Sequence, residues 1–156
     1  MTMKDYDIKI EGRAKINVFG TKDGTVLFPS TAKIDTDRSK TDVNVKNVEE
    51  VKIGIPDDCE KVEIACDDAN LSVQGITFED LEIDGKGTLT INIADVRGYI
   101  SINLMHGHAK VFLPEGFSFR TANKGKDCVI TNARPEDANA ETVIELNGRD
   151  SSLTIA

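Results

Sequence analysis

Apolar and polar residues alternate from the start of the chain. Tyr6, Ile8, Ile10, Gly12, Ala14, Ile16 and Val18 hold the even positions, with Asp7, Lys9, Glu11, Arg13, Lys15 and Asn17 between them. A period of two is that of a strand with one buried face. It predicts a strand pair or one long bent strand, with Gly12 at the bend. Gly20-Thr21-Lys22-Asp23-Gly24 reads as a turn, followed by a short strand at Val26-Leu27-Phe28 that Pro29 stops. The polar stretch 29–42 reads as a loop with at most one edge strand. From Val43 the apolar positions run through Val45, Val48, Val51, Ile53 and Ile55, which predicts two strands joined by a corner around Asn47-Val48-Glu49-Glu50. Helical spacing is sustained nowhere. Its best candidate, Pro135-Glu136-Asp137-Ala138-Asn139-Ala140-Glu141, has only alanines as apolar residues and reads as a polar turn or one helical turn.

A longer period lies over the alternation. Val62-Glu63-Ile64-Ala65, Leu81-Glu82-Ile83-Asp84 and Ile100-Ser101-Ile102-Asn103 share one pattern and begin 19 residues apart. A fixed period near 20 residues marks a solenoid in which each repeat is one coil laid on the last. Leu81, Ile83, Gly85, Gly87, Leu89, Ile91 and Ile93 keep one phase, and glycines in that phase mark tight corners. A weaker copy closes the chain at Ile144, Leu146, Gly148, Leu153 and Ile155, whereas 118–142 breaks the count. The expected fold is all-β: a short single-stranded β-solenoid, a β-helix-like stack, over residues 43–156. An N-terminal β segment, 1–42, caps one end, and 1–156 is a single domain.

Composition narrows the function classes. With 39% hydrophobic residues the chain can fill a core, and without Trp that core rests on Val, Ile and Leu. The net charge of −8 is uneven, since residues 57–118 hold 4 basic and 12 acidic side chains. Such a surface repels phosphate, which excludes nucleic acid and favours a solvated face, a cation or a basic partner. No run is long enough for a membrane-spanning helix. The N-terminus has no apolar signal segment, so the expected location is the cytoplasm; the alternative is the cell envelope or export, if a leader has been removed. Cys59, Cys66 and Cys128 are odd in number and lack zinc-ligand spacing. They read as reduced, mostly buried thiols, with a Cys59–Cys66 bridge as the alternative in an exported protein.

The run Ile100-Ser101-Ile102-Asn103-Leu104, followed by Gly107-His108-Ala109-Lys110-Val111-Phe112-Leu113-Pro114-Glu115-Gly116-Phe117, resembles the bacterial "putative adhesin" domains that form "toast-rack" β-solenoids. The resemblance spans roughly 43–156. It implies a bacterial, right-handed β-only stack with no agreed enzymatic activity, and carries over no catalytic residue. The chain is similar to a lesser degree to the bactofilin type of cytoplasmic β-helical polymer.

Candidate chemistry is thin. His106 and His108 flank Gly107 and, two apart on a strand, could share a metal ion; a bend at Gly107 would separate them. Asp57, Asp58, Glu60, Asp67 and Asp68 are the densest acids, and Asp67 and Asp68 are the other metal candidates. Their default role is in turns. Glu79, Asp80, Glu82 and Asp84 recapitulate paired carboxylates of carbohydrate-processing enzymes, although Leu81 and Ile83 between them turn the acids outward. Gly85-Lys86-Gly87-Thr88 lacks phosphate-loop spacing and reads as a turn. Phe117 and Phe119 read as a plug on the stack. The expectation is therefore a non-catalytic scaffold or binding module, with no cofactor and an unspecified protein or glycan partner. Open end coils allow a homo-oligomer. Alternatives are a carbohydrate-binding or carbohydrate-acting protein with an acidic groove, and a self-assembling cytoskeletal β-helix.

Overall fold

The computed structural model describes residues 4–156. The first three residues of the expected N-terminal segment lie outside the described residues. The described chain is all-β, with strands β1 (Asp5–Glu11), β2 (Lys15–Thr21), β3 (Lys33–Asp37), β4 (Lys40–Lys46), β5 (Glu50–Pro56), β6 (Asp58–Asp67), β7 (Asn70–Lys86), β8 (Thr88–Met105), β9 (His108–Phe112), β10 (Arg120–Asn123), β11 (Val129–Asn132), β12 (Val143–Arg149) and β13 (Ser152–Ile155). They form one mixed sheet that does not close. Among the described residues, only β3–β4 and a bridge between Leu27 and Gly54 are antiparallel. The candidate helix at 135–141 is a turn.

The pairs fall into two parallel ladders. The first runs β4-β1-β6-β7-β8-β12-β10 and the second β5-β2-β7-β8-β9-β13-β11. The long strands β7 and β8 belong to both, because each crosses a corner; β7 does so at an irregularity between Thr77 and Asp80. Val62 faces Leu81 and Leu81 faces Ile100, so the 19-residue repeats are neighbouring rungs. Parallel strands lie about 4.8 Å apart, and alternate side chains point to one side. Tyr6, Val62, Leu81, Ile100 and Ile144 therefore stack in one inward column, and Val43, Ile8, Ile64, Ile83, Ile102 and Leu146 in the next. All but Tyr6, at 2%, are fully buried. Phe119 joins this core and Phe117 packs against it with the rings 6.3 Å apart, the plug arrangement.

The rungs do not stack in chain order. Across the stack they run 40–56, 5–21, 61–74, 80–94, 99–112, 143–155 and 120–132. Most of the N-terminal segment is thus no cap; only its last strand, β3, lies outermost. β1 and β2 carry the same inward alternation as the repeats, so they fit as an inner rung with neighbours on both sides, and the expected boundary at 42/43 falls inside β4. The element that covers this end is β3, which has no buried residue. At the far end 143–155 slips inside 120–132, which explains why 118–142 interrupts the count.

One corner repeats in every rung. Gly12, Asn47, Asp68, Gly87, His106, Asp127 and Asp150 all have φ between 43° and 97°. Each follows a first-ladder strand. Glycine adopts this left-handed geometry freely, and Asn, Asp and His are the other residues enriched in it. The corner thus accounts for Asp68 and His106 without a ligand.

The ends are closed by side chains as well as strands. Glu136 accepts a 2.6 Å hydrogen bond from the Thr121 backbone N–H and a 2.9 Å bond from its hydroxyl, and Asn132 donates to the same carboxylate at 3.1 Å. Thr121 lies on β10, the outermost first-ladder strand. An uncovered edge recruits other chains. Glu136→Ala is therefore expected to add a concentration-dependent larger species in sedimentation velocity that the wild-type chain lacks; identical profiles would remove Glu136 from this role.

Candidate functional site

The outward side of the first ladder gathers carboxylates. Asp42 faces Asp7, Asp7 faces Glu63, Glu63 faces Glu82, Glu82 faces Ser101, and Ser101 faces Glu145. Five acids thus lie in one column broken once by a serine. Like charges on facing strand positions repel. Three lysines offset part of this: Lys40 lies 3.7 Å from Asp7, Lys61 lies 2.7 Å from Glu63 and 3.8 Å from Glu82, and Lys124 lies 2.8 Å from Glu145. These are partly exposed pairs of small individual worth.

Repulsion shows in the acids. Burial raises the Asp7 carboxyl and Glu63 raises it further. Burial, Asp84 and Glu63 together raise Glu82. Glu82 and Asp84 share one donor, the Asn103 side-chain amide, at 2.7 and 2.8 Å. Glu82 and Asn103 lie on an open face lined also by Glu79, Asp80, Tyr99, Ser101, Glu145 and Asn147.

Glu145 behaves differently. It is buried, and burial alone would raise its pKa; hydrogen bonds from Lys124, Tyr99 and Asn147 outweigh that and bring it to about 2. Asn147 donates to it at 2.7 Å and to Ser101 at 2.8 Å. A carboxyl lowered in the folded state stabilises above its ordinary 4.5, and that contribution is lost as pH falls toward about 2. A raised carboxyl, as at Asp7 and Glu82, costs stability once ionised, and the cost disappears on acidification. Urea melts should therefore show Glu145→Gln destabilised at pH 7 and level with wild type near pH 2, with Glu82→Gln stabilised at pH 7. Equal losses at both pH values would mean that Glu145 acts through packing.

The other singled-out residues are dispersed. Asp57, Asp58 and Glu60 sit at the start of β6, and Asp67 and Asp68 at its far end, about 30 Å away at strand rise. Asp68 accepts from the Thr88 N–H at 2.9 Å. His106 lies 3.3 Å from Asp150, and His108 hydrogen-bonds Ser152. Among the described residues no three His, Cys, Asp or Glu side chains converge on an ion position.

All three cysteines are free. Cys59 and Cys66 occupy opposite ends of β6, beyond disulfide reach. Burial pushes both thiols up to about 12, helped by Asp58 beside Cys59 and Asp67 beside Cys66. Gly87 in Gly85-Lys86-Gly87-Thr88 is the corner between β7 and β8.

No family model matches the chain, and no curated protein sequence matches it. The chain is similar in fold to a solved structure. The latter is the crystal structure of "a putative cell adhesion protein" from Clostridium sporogenes, 14% identical, with a TM-score of 0.56 over 98% of this chain and 92% of that one. At that identity the likeness is one of fold alone.

Sequence reasoning reached Glu82 and missed its column. The 62/81/100 alignment does put Glu63, Glu82 and Ser101 in one register. Asp42, Asp7 and Glu145 come from rungs that stack out of chain order, and no fixed period finds them.

Proposed function

We propose that the chain is a short single-stranded β-solenoid that works as a non-catalytic, adhesin-like scaffold and binding module, with its first-ladder face meeting a basic partner surface. The observation that carries this reading is the column of Asp42, Asp7, Glu63 and Glu82 on one face, each carboxylate partly exposed. Parallel rungs hold such a column rigid, so little ordering entropy is lost on binding. Its self-repulsion is relieved when a cationic surface docks. Glu82 sits on an open face and shares Asn103 with Asp84, which favours binding over turnover. The likeness in fold to the cell adhesion protein supports the same class.

The test is titration with an oligolysine peptide at low and at physiological ionic strength. Binding should weaken as salt rises and fall about tenfold or more in Glu63→Gln/Glu82→Gln. Undiminished binding by that variant, or none by wild type at low salt, would overturn the role given to this face.

A further inference from the structure

The second ladder has the opposite character. Its outward column reads Lys52, Asn17, Ser72, Asn92 and Phe112 on successive rungs, and a parallel column brings Phe19, Gln74 and Ala94 side by side. No acid stands in either column, in a chain of net charge −8. A groove of about 260 Å³ lies there, lined by Ser72, Gln74, Asn92, Ala94, Phe112 and Pro114 above a floor of Val73, Ile93 and Leu113. None of these residues is charged.

Three features make the groove more than a dent between rungs. Ala94 is small where its rung neighbour Gln74 is long, which opens the space. Phe112 is 38% exposed, an aromatic ring left on the surface at one wall of it. Lys110 sits over one face of that ring, 5.0 Å from its centroid. Beside the ring stand uncharged donors and acceptors. Asn92 gives only a long 3.3 Å bond to Asn70. Among the described residues no side-chain hydrogen bond engages Ser72 or Gln74. Asn17 Oδ1, next in the column, is buried without a donor.

We propose that this groove is a binding subsite for a neutral oligosaccharide, independent of the acidic face. An aromatic ring beside amides and a hydroxyl, with no charge, matches a ligand that is apolar on its C–H faces and hydroxylated at its rim. A phosphate or sulfate would find no cation among the lining residues, and a purely apolar ligand would strand the amides. Rungs about 4.8 Å apart set the polar side chains of Asn17, Ser72 and Asn92 at near-regular steps, which suits a polymer better than a single sugar.

The experiment is an amide-resolved NMR titration of the full chain with cellohexaose, N-acetylchitohexaose and mannohexaose, and with heparin oligosaccharide as the charged counterpart. At least one neutral hexasaccharide should shift the amides of Ser72, Gln74, Asn92 and Phe112 saturably, with heparin inert there. Phe112→Ala and, separately, Asn92→Ala should each raise the dissociation constant about tenfold, while Glu63→Gln/Glu82→Gln should leave it unchanged. Both groove positions are on the surface, and an unchanged melting temperature verifies folding. The proposal fails if no neutral hexasaccharide shifts those amides. It also fails if the shifts persist in Phe112→Ala. Loss of sugar binding in the glutamate variant alone would move the subsite to the acidic face.

Discussion

Gly148→Ala should prevent the last rungs from docking. Gly148 has φ +106°, and a Cβ there would run into the backbone oxygen, carbon and nitrogen of Leu104 on the neighbouring rung. Backbone on both sides leaves nothing flexible to yield, and the left-handed geometry adds its own cost. β12 is held between β8 and β10, so losing its register also releases 120–132. The expected loss is at least about 3 kcal/mol, with collapse of hydrogen-exchange protection over 143–155. Gly116→Ala is the control. Gly116 shares a positive φ of +75° but has nothing within 4 Å of the added methyl, so about 1–2 kcal/mol is its ceiling. Equal effects at the two glycines would show that conformation alone matters and that the rungs are not in close contact.

Ile83→Ala carries the next largest effect. Ile83 is fully buried between Ile64 and Ile102 in the middle of the stack. Rung spacing is fixed by backbone hydrogen bonds, so the stack cannot close over the lost atoms, and a cost of about 2–5 kcal/mol is expected. In a stack each rung depends chiefly on its neighbours. Exchange should therefore accelerate most at 61–67, 80–86 and 99–105 and least at 40–46 and 120–123. A cost below about 1 kcal/mol, or uniform acceleration along the chain, would contradict this packing.

The hydrophobic alternation made the strands legible, because burying one face of a strand demands it. It located β1, β2 and β4 through β9 closely, and the 19-residue repeat identified three adjacent rungs. It did not reveal the order of the rungs. Tyr6, Ile8 and Ile10 look the same whether their strand is outermost or second, since an inward face is apolar in both cases. What decides is the neighbour across each edge, and edges are backbone. The corner residues were half legible: Asp68 and His106 both read as turn residues with a metal as the lesser alternative, and nothing in the sequence showed that they hold the same corner on different rungs. Glu145 could not be distinguished from a surface acid, because its burial depends on Lys124 and Tyr99 folding over it from other rungs.

The fold depends on the rung order, in which 143–155 lies against 99–112 and separates it from 120–132. Oxidative cross-linking tests it directly in a Cys128→Ser background. Asn103 and Asn147 are facing partners on adjacent strands, about 4.8 Å apart and within disulfide range. Lys124 lies one strand further out, its N–H bonded to the Leu146 carbonyl. The pair Asn103→Cys/Asn147→Cys should close to an intramolecular disulfide, and Asn103→Cys/Lys124→Cys should stay open. Closure of the second pair and not the first would place the rungs in chain order and contradict the account.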